Sequence, residues 1–215
     1  MVYAVRMKIK ILHIFLLSLI VLVACAKAPV FAPAALPPGQ WQLDPDHASI
    51  VFTLSHGKGL SQFTGRFDSF DASLLFDVNN PQASKLLVQI DANSINTGVA
   101  ALDKKLIAHR RVLAAKTNPV ISFESTKISE VNQRQAKVTG LLSLRGQSRS
   151  IVMQTKWNGS AFDPLRRSQV LGFSATTSFD RRDFGADAWK NFGVGNIISV
   201  TIEAEFIKAP IISEK

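Results

Sequence analysis

The chain has 215 residues, 47% of them hydrophobic, a formal net charge of +9 and one cysteine. A single cysteine excludes an intramolecular disulfide, so the fold must rest on its core. No long Lys/Arg run and no aromatic-basic interleaving is present, which argues against a nucleic-acid partner; the excess suits a soluble surface or a mild attraction to anionic head groups.

At the N-terminus Arg6, Lys8 and Lys10 precede an apolar run from Ile11 to Val23. That run is too short to span a bilayer comfortably and has a signal peptide's basic front. Met7 is an alternative start. The run ends Leu22-Val23-Ala24-Cys25, which resembles a bacterial lipobox, with ordinary signal cleavage as the alternative. Residues 1–24 are therefore read as a signal peptide and Cys25 as the lipidation site. Residues 25–39, with Pro29, Pro33, Pro37 and Pro38, read as a semi-extended tether. The expected address is the periplasmic side of the bacterial envelope, lipid-anchored. Ala26 offers no inner-membrane retention signal of the enteric type, which favours the outer membrane. Without the signal's three bases the charge falls to +6.

Residues 40–215 have the length of one well-buried domain. From Ile50 to His56 the even positions Ile50, Phe52 and Leu54 are apolar. After Gly57-Lys58-Gly59 the odd positions Phe63 and Phe67 take over, which predicts an antiparallel hairpin with one apolar face. Phe70, Ala72, Leu74 and Phe76 continue in the opposite parity, and a bulge near Ser69 would account for the shift. Leu86, Val88 and Ile90 alternate in the next strand. Val99, Leu102, Leu106, His109 and Leu113 then recur at three- and four-residue spacing, a short amphipathic helix with Lys104, Lys105, Arg110 and Arg111 on its other face. Strands resume with Ile121 and Phe123, with Val138, Leu142 and Leu144, and with the segment 151–157. Residues 158–167 read as a polar loop. Leu171, Phe173, Ala175 and Phe179 form another strand, residues 181–195 an irregular segment, and Ile198 to Phe206 the last strand. Within the irregular segment, Asp183 beside Arg182 reads as an ion pair or cap.

The fold class is all-β: about eight antiparallel strands in a lipocalin-like barrel with one short amphipathic helix. A two-sheet sandwich is the competing architecture.

The chain resembles the YceI-like family, periplasmic lipocalin-like barrels that bind polyisoprenoid lipids. The resemblance rests on Trp41-x-Leu-Asp-Pro-x-His47-x-Ser49-Ile-x-Phe52, Gly65-x-Phe67 and Ile90-Asp-x-x-Ser94-Ile-x-Thr-Gly98. It continues through Asn118-Pro-x-Ile121-x-Phe123-x-Ser125, Thr139-Gly-x-Leu-x-Leu-Arg145-Gly146 and Arg182-Asp-Phe-Gly185. The segment 103–118 departs from the family, with basic and aliphatic residues in place of acidic and aromatic ones, so head-group preference is not carried over.

The first functional expectation is binding, storage or transport of a long-chain isoprenoid or similar amphiphile. Candidate lining residues are Phe52, Leu54, Phe67 and Phe76 on the first strands, Val88 and Ile90 on the next, and Leu106 on the helix. Ile121, Phe123, Leu142 and Phe173 complete the set. Plain core packing is the alternative for each, and a ligand-free structural or stress-related envelope module with a packed core is the alternative for the whole. Arg110 and Arg111 are candidate head-group contacts, or simply a solvated face. Expected partners are a lipid-like small molecule, the membrane through the anchor, and a second copy of the chain as a homodimer. No cofactor is expected beyond a bound polyisoprenoid or quinone. No Gly-x-Ser-x-Gly elbow, P-loop, dinucleotide fingerprint or His-Glu-x-x-His is present, so no enzyme and no metal are expected. His47 reads as a structural hydrogen-bonding residue.

Overall fold

The computed structural model describes residues 39–208. The signal run, Cys25 and all of the tether except Gly39 lie outside the described residues. Ten antiparallel strands form one sheet, and the last strand pairs with the first to close it. They are β1 (Gly39–His56), β2 (Ser61–Phe67), β3 (Phe70–Phe76), β4 (Lys85–Asp91), β5 (Ile95–Asn96), β6 (Val120–Ser129), β7 (Gln135–Leu144), β8 (Gln147–Asp163), β9 (Ser168–Asp180) and β10 (Ile197–Lys208). Among the described residues a single α-helix, α1 (Ala100–Ala108), lies between β5 and β6.

Two of the barrel's staves are broken in the middle. β2 pairs with the second half of β1 and β3 with the first half, while β4 and β5 follow beside β3 and β2. Counted by staves the barrel is eight-stranded, each stave beside its neighbours in sequence. This is the up-and-down closure that removes sheet edges.

The alternation read from the sequence is what closes it. In β3, Ala72, Leu74 and Phe76 are buried while Asp71, Ser73 and Leu75 face out. The parity shift near Ser69 is real, but it is a break rather than a bulge. Asp68 and Ser69 are both exposed, and their backbone N–H groups donate to Ser94 O and Ser94 Oγ, each at 3.0 Å. A side chain from the neighbouring stave thus satisfies the interrupted ladder. True bulges occur elsewhere, between Asp44 and Ala48, Ser125 and Lys127, and Trp157 and Gly159. The last of these lets β8 run on to Asp163, so most of the polar loop expected at 158–167 is strand.

α1 is shorter than the periodicity predicts. It ends at Ala108, and His109, Arg110, Arg111 and Leu113 lie beyond it. Tertiary packing overrides the helical period here. The chain turns so that Leu113 and Ala115 drop into the barrel end, 7% and 1% exposed. Their N–H groups bond back to Leu106 O and Ile107 O.

The barrel has two ends. The helix end carries the loops 57–60, 97–119, 145–146 and 181–196; the opposite end carries the turns 77–84, 130–134 and 164–167 together with the start of β1. Toward the opposite end Trp41, Leu43, Trp157, Leu171 and Phe206 pack as one buried cluster. There Phe173 stands edge-on to both Phe76 and Phe206, at ring separations of 5.7 and 6.0 Å. A second cluster, including Ile121, Leu144 and Phe184, packs toward the helix end.

Candidate functional site

The interior between these clusters is hollow, with a cavity of about 760 Å³. The burial pattern shows this independently. On β4 and β10 the inward residues Leu86, Val88, Ile90, Ile198, Val200 and Ile202 are only half-buried, while their alternate neighbours face out and are exposed. Their remaining accessible surface therefore faces the barrel's own interior.

All eleven residues expected to line an interior do so. Phe52 and Leu54 come from β1, Phe67 and Phe76 from β2 and β3, and Val88 and Ile90 from β4. Leu106 reaches in from α1, Ile121 and Phe123 from β6, Leu142 from β7 and Phe173 from β9. Phe76 and Phe173 share that role with the aromatic cluster at the opposite end. The expectation omitted β10, whose Ile198, Val200, Ile202 and Ala204 form a full stave of the wall. Its alternation is legible in the sequence. It also omitted Trp189 and Phe192, which line the helix end from an irregular segment without any period. Polar groups are sparse on the wall. Thr177 Oγ1 donates to Val152 O at 2.8 Å, whereas the buried Thr155 Oγ1 has no hydrogen-bond partner.

Two arginines hold the 181–196 segment over the helix end. Arg181 is 5% exposed and lines the cavity. Its guanidinium donates to Gly195 O at 2.8 Å, to Val194 O at 3.3 Å and to Ala186 O. Burial lowers its pKa from the ordinary arginine value. Arg145 donates to Phe184 O at 2.6 Å and to Arg110 O, tying the β7–β8 turn to both neighbouring loops. Arg182 pairs with Asp180 rather than with Asp183, its Nε lying 2.9 Å from Oδ2.

Arg110 and Arg111 are not on the helix and do not line the cavity. Arg111 Nε is committed to Asp187 Oδ1 at 2.6 Å, closing the helix loop onto the 181–196 segment. Arg110 is exposed.

His47 sits at the opposite end in a polar cluster. Asp44, 3% exposed, has its Oδ2 2.8 Å from His47 Nδ1 and 3.0 Å from Arg166 Nη2. Asp44, His47 and Glu205 are close enough to share a metal ion. A cation there would have to displace the Arg166 guanidinium already on Asp44, so the cluster works as it stands as a brace between β1 and the β8–β9 turn.

A model of the YceI-like domain family matches residues 41–206. A UPF0312 protein of Pseudomonas aeruginosa (strain LESB58) is 37% identical over 139 residues, 65% of this chain and 71% of that one. The Campylobacter jejuni YCEI protein superposes with a TM-score of 0.63 at 27% identity, over 70% of this chain and 88% of that one. A polyisoprenoid binding domain from Saccharophagus degradans shares the fold at a TM-score of 0.61 and 15% identity, covering 80% and 100%.

Proposed function

Because this chain belongs to the YceI-like domain family, we propose that its barrel binds a long-chain isoprenoid or similar amphiphilic lipid, for storage or transport in the bacterial envelope and without catalysis. The observation that carries this reading is the hollow interior: about 760 Å³ lined almost wholly by aliphatic and aromatic side chains. That volume falls within the range of small-molecule sites, roughly 300–1,000 Å³. A buried methylene contributes about 0.8 kcal/mol, so each five-carbon unit supplies roughly 4 kcal/mol gross. Two or three buried units reach micromolar affinity after association costs. Tail length is then read poorly, and a quinone and a carrier lipid compete on their heads rather than their tails. The fold shared with a domain described as polyisoprenoid-binding supports the same ligand class. The packed interior required by a ligand-free structural module does not match the cavity.

The reading includes lipidation at Cys25 and a periplasmic, membrane-anchored address, supported by the basic front, the apolar run and the lipobox-like end of that run. Pairing of two copies would use the outer face of β4, β6, β7 and β8, where Leu87, Leu141 and Val152 are exposed around Glu124.

Mass spectrometry of an organic extract of the protein purified from its native membrane tests the proposal. A co-purifying long-chain prenyl lipid or quinone is the expected result. A clean extract from folded protein, together with no uptake of added long-chain prenol, would overturn it.

A further inference from the structure

The helix end carries two large apolar side chains that are almost wholly exposed. Leu60, in the β1–β2 turn, is 90% exposed, and Phe192, in the 181–196 segment, is 81% exposed. The two loops are stitched together: Lys58 N–H donates to Gly193 O at 3.1 Å and Gly195 N–H to Ser55 O at 2.7 Å. Both tips therefore belong to one rim. Phe192 and its neighbour Trp189 also line the cavity, so this rim is part of its wall at the helix end, as Pro81 and residues 131–135 are at the other. Trp189 is fixed there in a left-handed backbone conformation (φ 56°), its ring 4.9 Å from that of His109 and 5.3 Å from Lys105 Nζ.

Charge is concentrated at the same end. Its four loops hold ten Lys and Arg against three Asp, whereas the three turns at the opposite end hold three Arg against one Asp and one Glu. Exposed aromatic and leucine tips set among lysines and arginines are the chemistry of an interfacial anchor on an anionic bilayer.

We infer that the rim formed by Leu60, Phe192 and the surrounding basic loops docks on the surface of a bilayer containing anionic phospholipid. This rests on the lipid-binding reading and extends it: docking brings the helix end of the cavity wall against the bilayer, where an apolar tail would pass between them without crossing water. Leu165 at the opposite end is also exposed, but its neighbour Arg166 is committed to Asp163 and Asp44 at 2.8 and 3.0 Å. It supplies the control.

The test uses the full chain in a Cys25→Ser background, so that no acyl chain tethers it. A polarity-sensitive dye is attached at Leu60→Cys, Phe192→Cys or Leu165→Cys, and each is mixed with vesicles of phosphatidylcholine alone or with added phosphatidylglycerol. The expected result is a blue shift at 60 and 192 on the phosphatidylglycerol vesicles, reduced by salt, with no shift at 165. Combining Lys58→Glu with Lys104→Glu should abolish the shift. A shift at 165 instead, no shift at 60 and 192, or burial of those dyes in a vesicle-free dimer would each overturn the inference. Titration of the same proteins with a long-chain prenol, without vesicles, reads the cavity alone. A protein that takes up the prenol while its rim dyes stay unshifted loses the docking surface and keeps the lipid-binding function.

Discussion

The ring of Phe52 on β1 lies over Gly65, its register partner on β2, so closely that a methyl group on Gly65 would collide with it. Gly65 has no left-handed backbone requirement, so the glycine is there for space alone. Across the barrel Phe123 uses Gly140 in the same way. Covering a glycine with an aromatic ring from the next strand keeps the ring against the wall and out of the hollow. Gly65→Ala should therefore tip Phe52 inward. The expected outcome is a loss of about 1–3 kcal/mol in urea denaturation, the usual cost of overpacking, together with weaker prenol uptake. If Gly65→Ala unfolds at the wild-type midpoint, the contact does not shape the wall.

Filling the hollow should have the opposite signature. Val88 and Val200 face the cavity and are only half-buried, so a larger side chain has room to enter. In a solid core Val→Phe costs about 1–3 kcal/mol. Here Val88→Phe and Val200→Phe should leave stability unchanged within about 1 kcal/mol while weakening prenol binding about tenfold or more, since losing one buried isoprene unit forgoes roughly 4 kcal/mol gross. Denaturation and fluorescence titration of the same samples check both halves. Marked destabilisation with binding intact would mean the cavity is closed in solution.

Ten of the eleven lining residues were legible because strand alternation is a local rule, visible in residues such as Phe52, Leu54, Ile121 and Phe123 without knowledge of the fold; Leu106 was legible from helical spacing. Closure of the barrel was legible only as strand count and turn length. The break at Asp68 and Ser69 was not, because its compensation comes from Ser94 on another stave. Helical spacing misplaces Arg110 and Arg111 onto the helix for a related reason. Helical periodicity continued through residue 113 in the sequence, but the carbonyl of Arg110 is held by Arg145 and the guanidinium of Arg111 by Asp187. Long-range contacts of this kind leave no periodic trace. Trp189 and Phe192 escaped notice because backbone hydrogen bonds place them, in a segment with no repeat at all.

Arg181 is the side chain on which the 181–196 segment depends. Its guanidinium serves three backbone carbonyls in a site with 5% exposure. Removing it leaves those acceptors without their donor in poor reach of water. Arg181→Ala should destabilise by about 3 kcal/mol on the scale of charged and orphaned buried hydrogen-bonding groups. Lysine has one nitrogen and cannot reproduce a three-way fork, so Arg181→Lys should recover only part of the loss. Thermal melts of the two variants decide this. Full rescue by lysine would show that the charge matters rather than the geometry.

The Arg111–Asp187 pair predicts how the helix end responds to acid. The hydrogen bond from Arg111, with a smaller one from Lys190, holds the Asp187 carboxyl well below the usual carboxylate range. A depressed folded value means that the unfolded chain takes up the proton first. The pair's contribution is thus fully present above the ordinary carboxylate range, declines as pH falls below that range, and is gone once pH has fallen through the depressed value. Because the next residue, Ala188, also donates its N–H to Arg111 O at 3.1 Å and so anchors the same turn, the effect should be local. Hydrogen exchange at residues 186–194 should stay slow from neutral to mildly acidic pH and quicken in strong acid, with β8 and β9 unaffected over the onset. Asp187→Asn removes the titrating group and should show the faster exchange already at neutral pH, with no further acid dependence in this segment. If Asp187→Asn leaves exchange in this segment at neutral pH as slow as in the wild type, Arg111 is not holding it, and the loops over the cavity are joined by Arg145, Arg181 and the backbone bonds alone.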